Sequence, residues 1–112
     1  MNRGAAAEAL AAAYLVARGL TIVARNYRCR GGEIDLIAND RDSLVFVEVR
    51  LRSSPAFGGA AASITAAKRK RIAHAAKHYL AKLGCEPPCR FDAILLDALD
   101  PQRIEWLRDV DV

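Results

Sequence analysis

Glu33-Ile34-Asp35-Leu36-Ile37-Ala38, followed after a short polar link by Leu44-Val45-Phe46-Val47-Glu48-Val49-Arg50, decides how this chain folds. Both runs follow the two-residue period of a β-strand, on which successive side chains point to opposite faces. In the first, Glu33 and Asp35 share one face while Ile34, Leu36 and Ala38 take the other. In the second, Phe46, Glu48 and Arg50 lie opposite Val45, Val47 and Val49. The link Asn39-Asp40-Arg41-Asp42 is short and turn-forming, so the two runs are predicted to pair as an antiparallel hairpin. With Arg41 and Asp42 as the loop, paired residue numbers sum to 83, which sets Asp35 opposite Glu48 and Glu33 opposite Arg50. A slip of two residues keeps the acids on one face, and a slip of one separates them.

Before the hairpin, residues 4–18 are rich in alanine, the best helix former, and are closed by Gly19. Glu8, the only acid of this helix, projects beside Ala11, Ala12 and Leu15 and so faces inward. Leu20 to Tyr27 turns β-branched and aromatic, a strand, and Arg28 to Gly32 reads as a turn. After the hairpin, residues 53–62 look like a surface loop with Gly58-Gly59 at its loosest point. A second helix is predicted from about Thr65 to Leu83, with Ile72, Ala75, Ala76, Tyr79, Leu80 and Leu83 inward and Gly84 closing it. Phe91 to Leu96 and Ile104 to Leu107 read as two more strands around an Asp100-Pro101 turn. The order α-β-β-β-α-β-β describes an α/β or α+β domain, a sheet with one helix from each half. At 112 residues and 12.2 kDa, one domain over residues 1–112 is expected, burying roughly two-thirds of its unfolded surface without metal or disulfide staples.

The net charge of +4 is unevenly distributed. Residues 1–49 carry six basic and six acidic side chains, residues 50–85 carry eight basic and none acidic, and residues 86–112 carry three basic and seven acidic. The basicity is therefore one block, following directly on the acidic strands. Glu8, Arg18 and Arg25 interrupt the most apolar stretch, so no membrane span is expected, and Glu8 also argues against a secretory signal. Three cysteines, Cys29, Cys85 and Cys89, are an odd number best read as free thiols of a cytoplasmic protein. Cys85 and Cys89 flank two prolines and lack the further ligands of a zinc site.

Asp35 and Glu48 side by side would repel each other unless a cation or a shared proton joins them. Hard oxygen ligands of this kind suit Mg2+ or Mn2+, which complete an octahedron with water and phosphate oxygens. Such an ion polarises a phosphodiester and lowers the pKa of bound water, so phosphodiester hydrolysis is the functional reading of the acidic face. The plainer reading is a solvated sheet rim with an ordinary Glu33–Arg50 cross-strand bridge, and spacing alone leaves both open.

Four blocks carry a family resemblance: Gly31-Gly32-Glu33-Ile34-Asp35-Leu36-Ile37, Phe46-Val47-Glu48-Val49-Arg50-Leu51-Arg52, Phe57-Gly58-Gly59-Ala60-Ala61-Ala62-Ser63, and Cys89-Arg90-Phe91-Asp92. With these, from Glu8 to Ile104-Glu105-Trp106, the chain closely resembles the YraN-like family of bacterial proteins, classed as predicted endonucleases. That family looks like a branch of the restriction-endonuclease-like PD-(D/E)xK superfamily and is similar in layout to archaeal Holliday junction resolvases. The resemblance implies a central mixed β-sheet flanked by helices, with Glu8, Asp35 and Glu48 as metal-binding carboxylates and DNA, branched or damaged, as substrate. It also implies a homodimer, since junction resolvases work as symmetric dimers, although no segment of the sequence marks a dimer face.

Two departures from the superfamily pattern matter chemically. Arg50 stands at the lysine position of the motif, and Ile34 stands where the proline would precede Asp35. A guanidinium cannot take a proton from water, so Arg50 can orient the nucleophile or stabilise phosphate charge but cannot be a general base. A metal-bound hydroxide, assisted by Glu33 or Glu48, would have to supply the nucleophile.

The second helix opens with Lys68-Arg69-Lys70-Arg71, and Arg52 leaves the strand beyond Glu48. Such a run covers a full helical turn and is commonly just a solvated helix end. The absence of any acid from residue 49 to 85 favours contact with a phosphate backbone through Arg52, Lys68, Arg69, Lys70 and Arg71. Lys68, four residues before Ile72, sits at the edge of the inward stripe and is the cation best placed to approach the cleft. His74 and His78 have a zinc-compatible spacing but no third ligand in register, and Trp106 reads as core or sheet cover. Three readings follow: a Mg2+- or Mn2+-dependent nuclease, a non-catalytic nucleic-acid-binding module that keeps the fold, and a structural protein with neither metal nor nucleic acid.

Overall fold

The computed structural model describes residues 2–51 and 65–111. The chain runs α1 (Arg3–Ala17), β1 (Thr21–Cys29), β2 (Gly32–Asp40), β3 (Ser43–Leu51), α2 (Ala66–Leu83), β4 (Cys89–Leu96) and β5 (Ile104–Leu107). This is the predicted order, and Arg52 and the predicted loop at 53–62 lie outside the described residues.

The five strands form one mixed sheet in the order β1-β2-β3-β4-β5. All neighbours are antiparallel except β3 and β4, whose parallel pairing needs a crossover, and α2 lies on that crossover. The predicted hairpin register holds along Leu36↔Val47, Ile37↔Phe46, Ala38↔Val45, Asn39↔Leu44 and Asp40↔Ser43. Arg41, at φ 58, makes the tight turn with Asp42.

Each face of the sheet carries one helix. Ala7, Ala11, Ala12 and Leu15 of α1 pack on Leu36, Ala38, Val45, Val47, Ile94 and Leu96. Ile72, Ala75 and Ala76 of α2 pack on Ile34, Ile37, Leu44 and Phe46. The predicted grouping of Ile34 with Leu36 and Ala38 is therefore corrected: Ile34 belongs to the α2 side and the other two to the α1 side. The break falls between the pairs Tyr27↔Ile34 and Arg25↔Leu36, where Asn26 of β1 takes a left-handed φ of 52 and Asp35 turns its carboxylate to the Val49 N–H. Such irregularities add local twist, and strict alternation along β2 fails beside them. The turn predicted over Arg28 to Gly32 is likewise only Arg30-Gly31, because Arg28↔Glu33 and Cys29↔Gly32 extend the ladder.

Two features set the position of α2 over the acidic strand. Gly32 lies so close beneath the helix that a Cβ there would run into the Arg71 carbonyl oxygen. At the helix start, Thr65 Oγ1 accepts the Lys68 N–H at 3.2 Å, an N-cap that fixes the first turn. Further along, His74 Nε2 donates to the Arg30 carbonyl at 2.9 Å and His78 Nδ1 meets the Tyr27 hydroxyl at 2.5 Å, so both histidines tie α2 to the first hairpin.

At the far side of the sheet, the buried Asp92 carboxylate accepts from Arg90 Nε at 3.1 Å, Trp106 Nε1 at 2.9 Å and the Asp109 N–H at 2.9 Å. These bonds meet the needs of a buried charge and lock β4 to β5 and to the chain's last turn. Among the described residues, no helix is long and apolar enough to cross a membrane.

Candidate functional site

The β2–β3 ladder runs up to Leu36↔Val47, and at the next position the side chain of Asp35 does the pairing. Its Oδ2 accepts the Val49 N–H at 2.8 Å, a backbone donor of the adjacent strand. One pair beyond the ladder, Asp35 thus stands beside Glu48, as the register predicts. A cavity of about 260 Å³ opens here, lined by Glu8 from α1, Glu33 and Asp35 from β2, Glu48 and Arg50 from β3, and Lys68 from α2.

The cavity concentrates negative charge in a poorly solvated place. Burial, and then the charge of Glu48, push the Asp35 carboxyl up to about 7, against the lowering pull of the Val49 N–H. A hydrogen bond with Glu48 and the charge of Glu8 add to the rise. Glu48, only 5% exposed, is held by the Lys68 ammonium at 2.8 Å from its Oε1. Glu33 stands half-exposed at the rim, 3.7 Å from both Arg28 and Arg71.

The basic run separates once it is folded. Lys68 turns into the cavity, Arg71 reaches Glu33, Lys70 is exposed, and Arg69 lines a neighbouring cavity of about 350 Å³. That second cavity is floored by Phe46, Ile72 and Phe91 and shares Glu48 as a wall. Arg50 is half-buried in the wall of the acidic cavity.

The expected triad of metal ligands is not assembled as a set. Among the described residues no three His, Cys, Asp or Glu side chains converge closely enough to hold an ion together. Glu8 shares the cavity and the electrostatics of Asp35, and the close contact is between Asp35 and Glu48. Two carboxylate groups fit Mg2+ or Mn2+, because such ions are commonly held by one or two carboxylates with water and substrate phosphate completing the octahedron. The raised pKa of Asp35 is the mark of a carboxyl that is first buried and then crowded by a second acid.

Periodicity located Asp35 and Glu48, and helical spacing brought Lys68 to the cleft. Three contributors carried no signal of their own. The Val49 N–H is a backbone group, the close approach at Gly32 depends on tertiary packing, and the Lys68–Glu48 contact joins residues from elements that only the fold brings together.

A family model described as "Uncharacterised protein family UPF0102" matches residues 7–96. A UPF0102 protein of Nitrosomonas europaea is 56% identical over 96% of this chain and 92% of its own length. A UPF0102 protein of Cupriavidus taiwanensis is 60% identical over 95% of this chain and 79% of its own, and one of Methylobacillus flagellatus is 57% identical over 92% and 90%.

Proposed function

The chain belongs to the UPF0102 family, the YraN-like family that its motifs resemble, and from that premise we propose that it is a divalent-metal-dependent nuclease hydrolysing DNA phosphodiester bonds. The observation that carries this reading is the pair Asp35 and Glu48, two adjacent carboxylates in a cavity that also faces Glu8, where an acid ionises only near neutrality. A sheet gains nothing from such a pair unless a cation or a shared proton joins it. The fold, a mixed sheet flanked by helices with these acids where β2 parts from β3, supports placing it with the restriction-endonuclease-like proteins.

In this reading Asp35 and Glu48 hold Mg2+ or Mn2+, with Glu8 contributing field to the site. The bound ion would supply a polarised phosphodiester and a water of lowered pKa. Arg50, permanently charged, orients the phosphate and offsets its charge, and Glu33 at the rim is a half-exposed carboxylate able to accept a proton from the attacking water. Arg52, Lys68, Arg69, Lys70 and Arg71 bind the phosphate backbone without reading base sequence. The protein acts as a homodimer in a reducing cytoplasm, consistent with its free thiols Cys29, Cys85 and Cys89.

A second reading, a nucleic-acid-binding module without catalysis, is favoured by Arg50 in the motif's lysine position and by Glu48 already engaged with Lys68. A panel of linear, flapped and four-way junction DNAs incubated with Mn2+ separates the two. The nuclease reading expects cleavage of at least one form that is lost in Asp35→Asn and Glu48→Gln. Salt-sensitive binding with no cleavage of any form would establish the binding module instead.

A further inference from the structure

We propose that Lys68 is a resident counter-ion of the carboxylate site, which a divalent metal displaces, so that loading the metal frees a cation for the phosphate backbone. The inference rests on the metal-dependent reading above. It concerns what occupies the site beforehand and how metal and nucleic acid are coupled.

Lys68 stands in the first turn of α2, where the positive end of the helix dipole disfavours a cation and where no acid is present to balance it. Its ammonium nonetheless lies 2.8 Å from Glu48 Oε1, with a side chain 27% exposed against 6% for Glu48. The gain is on the carboxylate side: the ammonium offsets the charge of a buried Glu48 that stands beside Asp35 in the cavity it shares with Glu8. An ammonium on this oxygen and a divalent ion within coordination distance of the same carboxylate repel each other, so the two compete for one place.

The geometry allows the exchange without refolding. The Thr65 cap and the Gly32 contact hold the helix backbone, while the lysine ammonium rides on a four-carbon stem with freely turning bonds. Released from Glu48, it joins Arg69, Lys70 and Arg71 on the same first turns of α2, which carry no acid. Metal and DNA then bind cooperatively, and by linkage each raises the affinity for the other.

Mn2+ calorimetry on the full chain and its Lys68→Met, Lys68→Arg and Arg71→Met variants tests this, with folding of each checked by circular dichroism. Lys68→Met is expected to bind Mn2+ about ten-fold or more tightly than the natural chain, while Lys68→Arg, which keeps the charge, stays near it. Arg71→Met, which removes an exposed cation paired with Glu33 instead of Glu48, should change Mn2+ affinity by less than about two-fold. Ca2+ should strengthen binding of a short DNA duplex to the natural chain more than to Lys68→Met. Equal or weaker Mn2+ binding by Lys68→Met than by the natural chain overturns the displacement and leaves the metal site standing. An equal gain in Arg71→Met reduces the effect to general charge and also overturns it. No Mn2+ heat in any of the four proteins, with and without DNA, removes the metal-dependent reading itself.

Discussion

A carboxyl group that loses its proton only near neutrality makes folding depend on pH in a known direction. Folded, Asp35 keeps its proton up to about pH 7; unfolded, it releases it near 3.8. Between those values the folded state binds more protons, so stability falls as pH rises through the window and the full penalty is present above it. Asp35→Asn keeps an acceptor for the Val49 N–H and removes the charge. Above pH 7 it should therefore stabilise the protein by about 2 kcal/mol, with no gain near pH 4, as read by thermal melts across that range. Asp92 is the contrasting buried carboxylate, its oxygens bonded to Arg90, Trp106 and the Asp109 N–H. Asp92→Ala leaves Arg90 with Asp40 alone, strands the Trp106 indole N–H and the Asp109 N–H, and should cost about 3 kcal/mol in denaturant unfolding. The period-2 spacing made Asp35 and Glu48 legible as neighbours. It could not distinguish a charge in need of a partner from one already supplied, since the partners of Asp92 come from β4, β5 and the last turn.

At the scale of the elements, α2 is set by what lies under it. Gly32→Ala puts a methyl group against the Arg71 carbonyl and the Ala75 backbone, and should cost about 1–3 kcal/mol while lifting the helix start from β2. Thr65→Ala removes the N-cap and should cost about 1 kcal/mol, with the first turn of α2 gaining hydrogen-exchange rate. The same contrast governs what the sequence disclosed about the elements. Element order and the β2–β3 register were readable because periodicity and a two-residue turn are local. The face of Ile34 is not readable from β2 alone, because the irregularity beside it belongs to Asn26 of the neighbouring strand. The first turn is narrower than its composition suggests because Cys29↔Gly32 pairing outweighs the turn-forming glycines.

Over the whole molecule, a block of eight basic residues lies between an acid-bearing hairpin and an acidic end, and folding brings the start of α2 to the edge of the carboxylate cavity. If the block grips phosphates, the double change Arg69→Ala and Lys70→Ala should weaken DNA binding for all sequences alike and lower the salt slope of log affinity by about two. Asp35→Asn should leave that slope intact, because it neither adds nor removes a cation facing the backbone. The central claim, that the paired carboxylates support metal-dependent phosphodiester hydrolysis, is tested most directly by nicking of supercoiled plasmid with Mn2+. The natural chain should convert it to open circle, and folded Asp35→Asn, purified in parallel, should not; equal nicking by the two proteins, or none by the natural chain, would contradict the account.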